Sequence, residues 1–231
     1  MNAPNMIVPH KSDLRSTVIC WFSFLIGMQL LLAFVPAFQS SDLHSNFLYN
    51  LAISVGNFSL VLLLFRDFLF RSLIPPLVML VAAFFGLLAT MGLNNLMSVI
   101  VSLIASSMSV EMGNVNQSSI NSLIANYPFP VGFMVVVMTP VVEEVLFRGT
   151  LFGPLSKKNL FLAYAVSMGT FSAMHLISSI GVYPAIVIFL DFLEYLPAGF
   201  VLCFCYKRFG SIWAPIALHG LLNLIPVLLS Q

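Results

Sequence analysis

Seven long runs of hydrophobic residues, separated by polar segments, make up most of the chain. They cover about residues 16–38, 47–65, 75–104, 129–155, 160–180, 184–205 and 211–229. Because an α-helix needs about 20 apolar residues to cross the hydrocarbon core of a bilayer, each run predicts a membrane span. The third run is longer than one crossing requires, so it is either one long tilted helix or two short helices broken near Asn94 and Asn95.

The basic residues decide between one crossing and two for the third run. With that run counted once, the segments 39–46, 105–126 and 181–183 on one side of the membrane carry no Lys or Arg, and the loop 105–126 accommodates a short interfacial helix. The positive-inside rule therefore predicts seven spans with a cytoplasmic N-terminus. The basic residues on the cytoplasmic side are Lys11, Arg15, Arg66, Arg71, Lys157, Lys158, Lys207 and Arg208.

The composition places the whole chain in the membrane. Hydrophobic residues make up 60% of it and charged residues 7%, whereas roughly a quarter of a soluble domain is charged. We therefore predict an all-α, polytopic transmembrane helical bundle with a cytoplasmic tail over 1–15, an N-terminal transmembrane region with a long outer loop over 16–128, and a transmembrane core over 129–231. The net charge of +1, with no basic aromatic surface, predicts no nucleic-acid partner.

Three charged residues inside the fourth span mark a candidate site. The segment 140–149 places Glu143, Glu144 and Arg148 in hydrocarbon, where one charge costs about 2.5–3.5 kcal/mol. Glu144 and Arg148 stand at i and i+4 in the order that favours an ion pair, which leaves Glu143 without a local partner. These residues are therefore functional candidates.

Three polar residues of the fifth and seventh spans add to this site: His175, His219 and Asn223. Counted from the cytoplasmic helix ends, Glu143 and these three residues lie at depths of roughly 18, 22, 12 and 18 Å, so they can meet at one level. A carboxylate and an imidazole can hold and deprotonate a water, while a second imidazole and a carboxamide can donate hydrogen bonds to an oxyanion. These are the parts that peptide hydrolysis within a membrane needs.

Three motifs follow one another on these spans: Glu-Glu-x-x-x-Arg from Glu143, Phe-x-x-x-His from Phe171 and His-x-x-x-Asn from His219. Together they resemble the CPBP family, which contains the type II CAAX prenyl endopeptidases and bacterial proteins linked to bacteriocin processing or immunity. The resemblance covers about residues 129–226, so the region 129–231 is predicted to be a CPBP-like catalytic core.

The resemblance implies an intramembrane endopeptidase and a role for each motif residue. It leaves open a divalent metal such as zinc, whose ligands would be Glu143, His175 and His219. Phe171 is predicted to pack beside the site. The implied roles are water activation by Glu143 and His175, support by Glu144 and Arg148, and oxyanion stabilisation by His219 and Asn223.

Two alternatives from other classes stay open at this point. Intramembrane Glu, His and Asp residues also serve as proton relays, so a proton-coupled transporter is one alternative. A non-catalytic immunity or scaffold membrane protein is the other. Asp191 and Glu194 of the sixth span fall outside the family pattern, and they can lie near the outer interface, line the substrate cavity or belong to a proton path.

The setting of the predicted enzyme follows from the same features. Among the members of the family that it resembles, the compact chain looks more like a bacterial one. The resemblance therefore implies a multi-pass protein of a bacterial plasma membrane, with a peptide or a membrane protein as its substrate and the lipid bilayer as its surroundings. We expect the catalytic cavity to open towards the cytoplasmic side. Cys20, Cys203 and Cys205 have no Cys or His neighbour at metal-binding spacing and are predicted to be small core residues.

Overall fold

The computed structural model describes residues 6–10, 13–35, 42–113 and 115–229, with side chains described in these ranges except at 115–117. Within them the chain forms helices and no strand, which confirms the predicted all-α fold. The helices are α1 (Leu14–Ala33), α2 (Leu43–Leu64), α3 (Arg66–Arg71), α4 (Pro76–Ser107), α5 (Val115–Asn126), α6 (Pro128–Ser156), α7 (Leu160–His175), α8 (Ala185–Phe209) and α9 (Trp213–Leu229).

Seven of these helices correspond to the seven hydrophobic runs. In the described ranges, α1, α2, α4, α6 and α8 are long and apolar enough to cross a membrane, while α7 and α9 are apolar but shorter. Helix α4 continues unbroken over 32 residues, so the alternative of a break near Asn94 and Asn95 is wrong. The chain is a polytopic helical membrane protein; the count of seven crossings and the cytoplasmic N-terminus stay predictions.

One segment differs from the sequence prediction, and one expected helix is present. The fifth run was expected to stay helical to about residue 180, but α7 ends at His175 and a short 3-10 turn, Ile177–Ser179, follows it. The chain then reverses at Gly181, whose φ of 82° favours glycine, before Pro184 precedes α8. The polar segment near Arg66 forms the short helix α3, and α5 is the helix expected in the loop 105–126.

Local sequence explains where several helices begin and end. The Asp42 carboxylate accepts a hydrogen bond from the backbone N–H of Ser45 and caps α2, and the Asn159 side chain caps α7 by accepting from Leu162. Gly210 ends α8 in the left-handed conformation. Each of these residues therefore sets one end of its helix.

The described Lys and Arg residues of the connecting segments gather at one end of the bundle, which we call the basic end (residues 6–10, 13–15, 66–73, 153–159 and 206–213). There the backbone N–H of Ile7 donates to Gly210 at 3.0 Å, and the Trp213 indole donates to the Leu69 carbonyl at 2.9 Å. The described Lys and Arg residues outside the bundle core all belong to this end or adjoin it. The positive-inside pattern therefore corresponds to one physical end of the fold.

The other end of the bundle, which we call the distal end, consists of residues 42–50, 107–113, 115–131, 177–184 and 226–229. His44 lies 3.0 Å from the Tyr127 hydroxyl, and Phe47 stacks on the Tyr127 ring at 4.1 Å between centroids. Phe47 also shares an apolar cluster with Val131 and Val227. Within the described residues, this end carries no Lys or Arg.

Candidate active site

Part of the candidate site lies on α6, and this helix is irregular there. Two π-helical stretches, Met134–Met138 and Glu144–Phe152, flank the α-helical turn that holds Glu143. Pro140 lies between these two stretches. Because proline has no N–H, the helical hydrogen bond from residue 140 to the Val136 carbonyl is missing. Such local π geometry is frequent at functional sites because it changes the direction in which side chains leave the helix.

Helix α9 approaches α6 at the irregular turn. A Cβ atom on Gly220 would lie 2.8 Å from the Val136 carbonyl oxygen, so only glycine permits this approach without a shift. One turn further on, the Asn223 amide donates to the Val135 carbonyl at 2.8 Å. Pro140 and Gly220 together therefore bring His219 and Asn223 of α9 against α6.

Behind Glu143, towards the basic end, lies a closed polar cluster. Arg148 Nη1 donates to Glu144 Oε1 at 2.9 Å, and His219 Nδ1 lies 2.8 Å from the same oxygen. Arg148 Nη2 also donates to the Gly199 carbonyl at 3.3 Å. Both Glu144 and Arg148 are 0% exposed, so this ion pair is fully removed from solvent and lipid.

The cluster also fixes the Arg148 guanidinium and the His219 ring. The guanidinium carbon lies 4.4 Å from the centre of the Phe171 ring, which is cation–π distance. Because an ionised Glu144 only accepts hydrogen bonds, we assign a hydrogen to His219 Nδ1. Phe171 thus packs beside the site, and the supporting residues contact one another as predicted.

His175 is held equally firmly at the end of α7. Its Nδ1 lies 2.9 Å from the Phe171 carbonyl oxygen, which only accepts, so the hydrogen of His175 is also assigned to Nδ1. The ring lies between Phe171, at 4.5 Å, and Tyr195 of α8, at 4.7 Å between centroids. These contacts direct Nε2 of His175 towards Glu143.

Glu143 stands between the two histidines. Its Oε2 lies 4.0 Å from Nε2 of His175 and 4.0 Å from Nε2 of His219, and it is buried without a hydrogen-bond partner among the described residues. Two hydrogen bonds of about 2.8 Å that share one atom at a right angle span about 4.0 Å. A single water oxygen therefore fits between the carboxylate and either imidazole.

The donor types of this group suit zinc, but their spacing does not. Zinc bonds of about 2.0–2.2 Å in a tetrahedral site separate the ligand atoms by about 3.4 Å, less than the 4.0 Å measured from Glu143 to each histidine. Among the described residues, no group of three His, Cys, Asp or Glu side chains is arranged to hold a metal ion.

A cavity of about 320 Å³ lies in front of Glu143. It runs towards the distal end, between α2, α5 and the distal parts of α6 and α9, and therefore away from the Lys- and Arg-rich end. Which end of the bundle faces the cytoplasm stays a prediction, and so does the expectation that the cavity opens towards the cytoplasmic side. The closed cluster around Glu144 and Arg148 blocks the direction towards the basic end. The residues that line the cavity are Phe24, Asn50, Ser54, Ile120, Leu123, Ile124, Val131, Met134, Val135, Thr139, Glu143, Met174, His175, Tyr195, His219, Asn223, Pro226 and Val227.

The structure brings the four predicted catalytic residues to this cavity and leaves the other acidic pair apart from it. Asp191 and Glu194 of α8 are absent from the described lining. Asp191 is buried with its Oδ2 unpartnered. Tyr195 is the contact residue that sequence reasoning missed, because nothing in its spacing links it to a motif.

Comparison with known proteins supports the motif assignment. A family model described as "Type II CAAX prenyl endopeptidase Rce1-like" matches residues 125–225. The "Putative membrane peptidase YdiL" of Bacillus subtilis (strain 168) is 31% identical over 94 residues, which are 40% of this chain and 34% of that protein. The chain thus aligns with about a third of the length of that curated relative.

No solved structure matches the chain. The matched residues 125–225 contain all three motifs and extend over almost the same region as the predicted catalytic core. The predicted resemblance is therefore confirmed: over residues 125–225 the chain is similar to the Rce1-like type II CAAX prenyl endopeptidase family.

Proposed function

We propose that this chain is an intramembrane endopeptidase that hydrolyses a peptide bond with a water activated by Glu143 and His175. The observation that carries the proposal is the position of Glu143 Oε2, buried at the cavity wall and 4.0 Å from two imidazole Nε2 atoms. The similarity to a peptidase family over the same residues supports it. The proposed setting is a bacterial plasma membrane.

The water is held by two acceptors in the first step. It donates one hydrogen to Glu143 Oε2 and the other to the lone pair of His175 Nε2, which leaves its own lone pairs free to attack. As the oxygen adds to the substrate carbonyl, Glu143 takes one proton and a tetrahedral intermediate forms. Phe171 and Tyr195 keep the His175 ring in position during this step.

The negative oxygen of the intermediate is stabilised from α9. Asn223 has two N–H groups, of which one donates to Val135 and the second is available for the oxyanion. His219 can donate through Nε2 when both of its nitrogens carry hydrogen. In that form the group of Glu143, Glu144, Arg148 and His219 has two negative and two positive charges and is formally neutral, which favours it in a buried site.

The last step returns the proton. Glu143 gives the proton that it took from the water to the amide nitrogen of the leaving product as the C–N bond breaks. One product ends in a new carboxyl group and the other in a new amine, and Glu143 is again ionised. The reaction consumes one water and leaves the chain unchanged.

Mass spectrometry of new protein termini tests the proposal. Membranes from cells that express the wild-type chain are compared with membranes from cells that express Glu143→Gln at equal folded yield. Glutamine keeps the size of the side chain but cannot take a proton, so we expect a set of termini to disappear. Identical termini in both samples would refute peptidase activity and favour transport or scaffolding, which flux measurements in proteoliposomes then separate.

A further inference from the structure

A second, smaller cavity adjoins Glu143, and we call it the side chamber. It has a volume of about 60 Å³ and lies between α1, α2 and α6. Its described lining includes Glu143 but neither His175 nor His219, so it meets the carboxylate on a different side from the two imidazoles. The residues that define it here are Phe24, Ser54, Asn57, Met138, Thr139 and Glu143.

The polar residues of the side chamber come from two helix faces. Ser54 and Asn57 stand at i and i+3 on α2, and Thr139 and Glu143 stand at i and i+4 on α6. Residues at these spacings project from the same face of a helix, so α2 and α6 each present a polar pair to the other. Four polar side chains therefore converge on one small space inside an apolar bundle.

Most of these polar groups have hydrogen-bonding capacity that the protein does not use. Asn57 is 5% exposed, and its Oδ1 accepts from the Ser23 hydroxyl of α1 at 2.8 Å. Its amide nitrogen and the hydroxyls of Ser54 and Thr139 donate no hydrogen bond to a described residue. Glu143 Oε2 is also without a partner among these residues. Where the protein supplies no partner for buried polar groups, bound water usually does.

The size and lining of the side chamber favour water over a substrate side chain. One water occupies about 30 Å³ in the liquid, so the chamber has room for about two. An apolar side chain of that volume would leave the amide of Asn57 and both hydroxyls unpaired, which is costly in a buried site. Water satisfies all of them, and it can bond Glu143 as well.

We propose that the side chamber holds water and resupplies the position between Glu143 and His175 after each turnover. This proposal rests on the proposed endopeptidase function, in which every cleaved peptide bond consumes one water. The oxygen and one hydrogen of that water enter the new carboxyl group, and its other hydrogen enters the new amine. A bound peptide occupies the cavity of about 320 Å³, whereas the side chamber reaches Glu143 without crossing that cavity.

The proposal gives the early helices a part in the reaction. Ser54 and Asn57 belong to α2 and lie outside the matched region 125–225, which holds the three motifs. Ser23, which fixes the Asn57 side chain, begins a π-helical stretch of α1. Asn57 and Thr139 are therefore positioning residues, because they act on the reaction through the water that they hold.

Radiolytic footprinting of the purified wild-type protein tests whether the side chamber holds water. A short X-ray pulse converts water into hydroxyl radicals, which oxidise the nearest methionine side chains, and mass spectrometry measures the oxidation of each one. Met138 lines the chamber, whereas Met168 is also partly buried but lines none of the described cavities. We expect Met138 to be oxidised at least about threefold faster than Met168. Equal rates would overturn the proposal.

Kinetics of Thr139 variants test whether the reaction uses this water. Thr139→Val keeps the size of the side chain but removes its hydroxyl, so we expect kcat to fall about five- to tenfold with unchanged KM on a peptide from a Glu143-dependent cleavage site. Thr139→Ser restores the hydroxyl and should restore most of kcat. Thr90→Val provides the matched control, because Thr90 of α4 is a buried threonine that lines none of the described cavities and should leave kcat unchanged.

The results distinguish failure of this proposal from failure of the proposed function. Unchanged kcat in Thr139→Val beside strong oxidation of Met138 would overturn the supply of water to the reaction. A changed preference for residues beside the cleaved bond, with unchanged kcat, would overturn it too and make the chamber a substrate subsite. Absence of any Glu143-dependent cleavage by the wild type would refute the proposed function, while the oxidation of Met138 would still show whether the chamber holds water.

Discussion

Two adjacent glutamates face two different regions of the molecule. Glu144 belongs to a closed cluster in which Arg148 and His219 both approach its Oε1, at 2.9 and 2.8 Å. Both glutamates have an Oε2 without a hydrogen-bond partner among the described residues, but only Glu143 lines the cavity, with two imidazoles 4.0 Å from its Oε2. The first environment suits a charge that must stay fixed, and the second suits a charge that must exchange a proton. Two neighbouring residues of one helix can therefore have different roles, one holding the site together and the other exchanging a proton.

The largest expected effects on stability and on cleavage rate come from replacing each glutamate by glutamine. Glu144→Gln leaves Arg148 and His219 without their common anion, and loss of one partner of a buried pair costs about 3–5 kcal/mol. We therefore expect a much lower melting temperature in detergent and low folded yield. Glu143→Gln should change the melting temperature little while reducing the rate of peptide cleavage about a thousandfold, since it removes the general base.

Thermal unfolding of the two purified variants, followed by circular dichroism, gives the measurement, and the pair serves as its own matched control. Equal destabilisation by both substitutions would show that Glu143 is as structural as Glu144. Retained cleavage by Glu143→Gln would remove it from the reaction.

A second prediction separates binding from catalysis on α9. Asn223→Ala removes the proposed oxyanion donor together with one hydrogen bond to Val135. We expect kcat to fall about 100- to 1,000-fold with little change in KM, because the lost contact forms only in the transition state. Kinetics on a peptide derived from a Glu143-dependent cleavage site measure both constants.

If Asn223 had only a structural role, its variants would show a different pattern of stability and kcat. Loss of a single hydrogen bond costs about 1 kcal/mol of stability and changes kcat only through the folded fraction. Asn223→Asp provides the control, because it keeps the size of the side chain but replaces the donating amide by acceptors. If Asn223→Asp retained the wild-type kcat, the oxyanion role would be refuted.

A smaller effect is expected at Tyr195, which stacks on His175. Tyr195→Phe keeps the ring and should leave kcat within about twofold, whereas Tyr195→Leu removes the stacking and should reduce kcat about tenfold, because His175 is less well positioned. Peptide kinetics at equal folded concentration measure kcat for the two variants. Equal loss in both would assign the effect to the hydroxyl rather than to the ring.

The sequence predicted the members of the site better than it predicted their surroundings. Glu143, His175, His219 and Asn223 could be placed at one depth because helical rise converts sequence distance into height. The ion pair of Glu144 with the residue four positions later followed from helical spacing in the same way. Such predictions depend only on distances along single helices.

Features that depend on how helices pack against one another could not be predicted from spacing. The contact of Tyr195 with His175 requires the rotation of α8 against α7. The direction of the cavity requires knowing where the helices separate, and the residues near Val131 and Val227 that line it look like ordinary span residues. The π-helical stretches on both sides of Pro140 were not predicted from the sequence either.

The smallest effect is expected at Asp191, which forms a second pair of intramembrane carboxylates with Glu194 and can be compared with Glu143. Asp191 is 3% exposed and keeps Oδ2 unpartnered, yet it does not line the described cavity and has no imidazole against it as Glu143 does. Asp191→Asn should therefore leave kcat within about twofold and the melting temperature equal or higher, because a buried amide is less costly than an unpaired carboxyl. Peptide kinetics and thermal unfolding of Asp191→Asn beside Glu143→Gln measure the contrast. A hundredfold loss of activity in Asp191→Asn would place Asp191 in the proton path and would mean that burial with an unpartnered oxygen, rather than convergence with two imidazoles, identifies the reacting carboxylate.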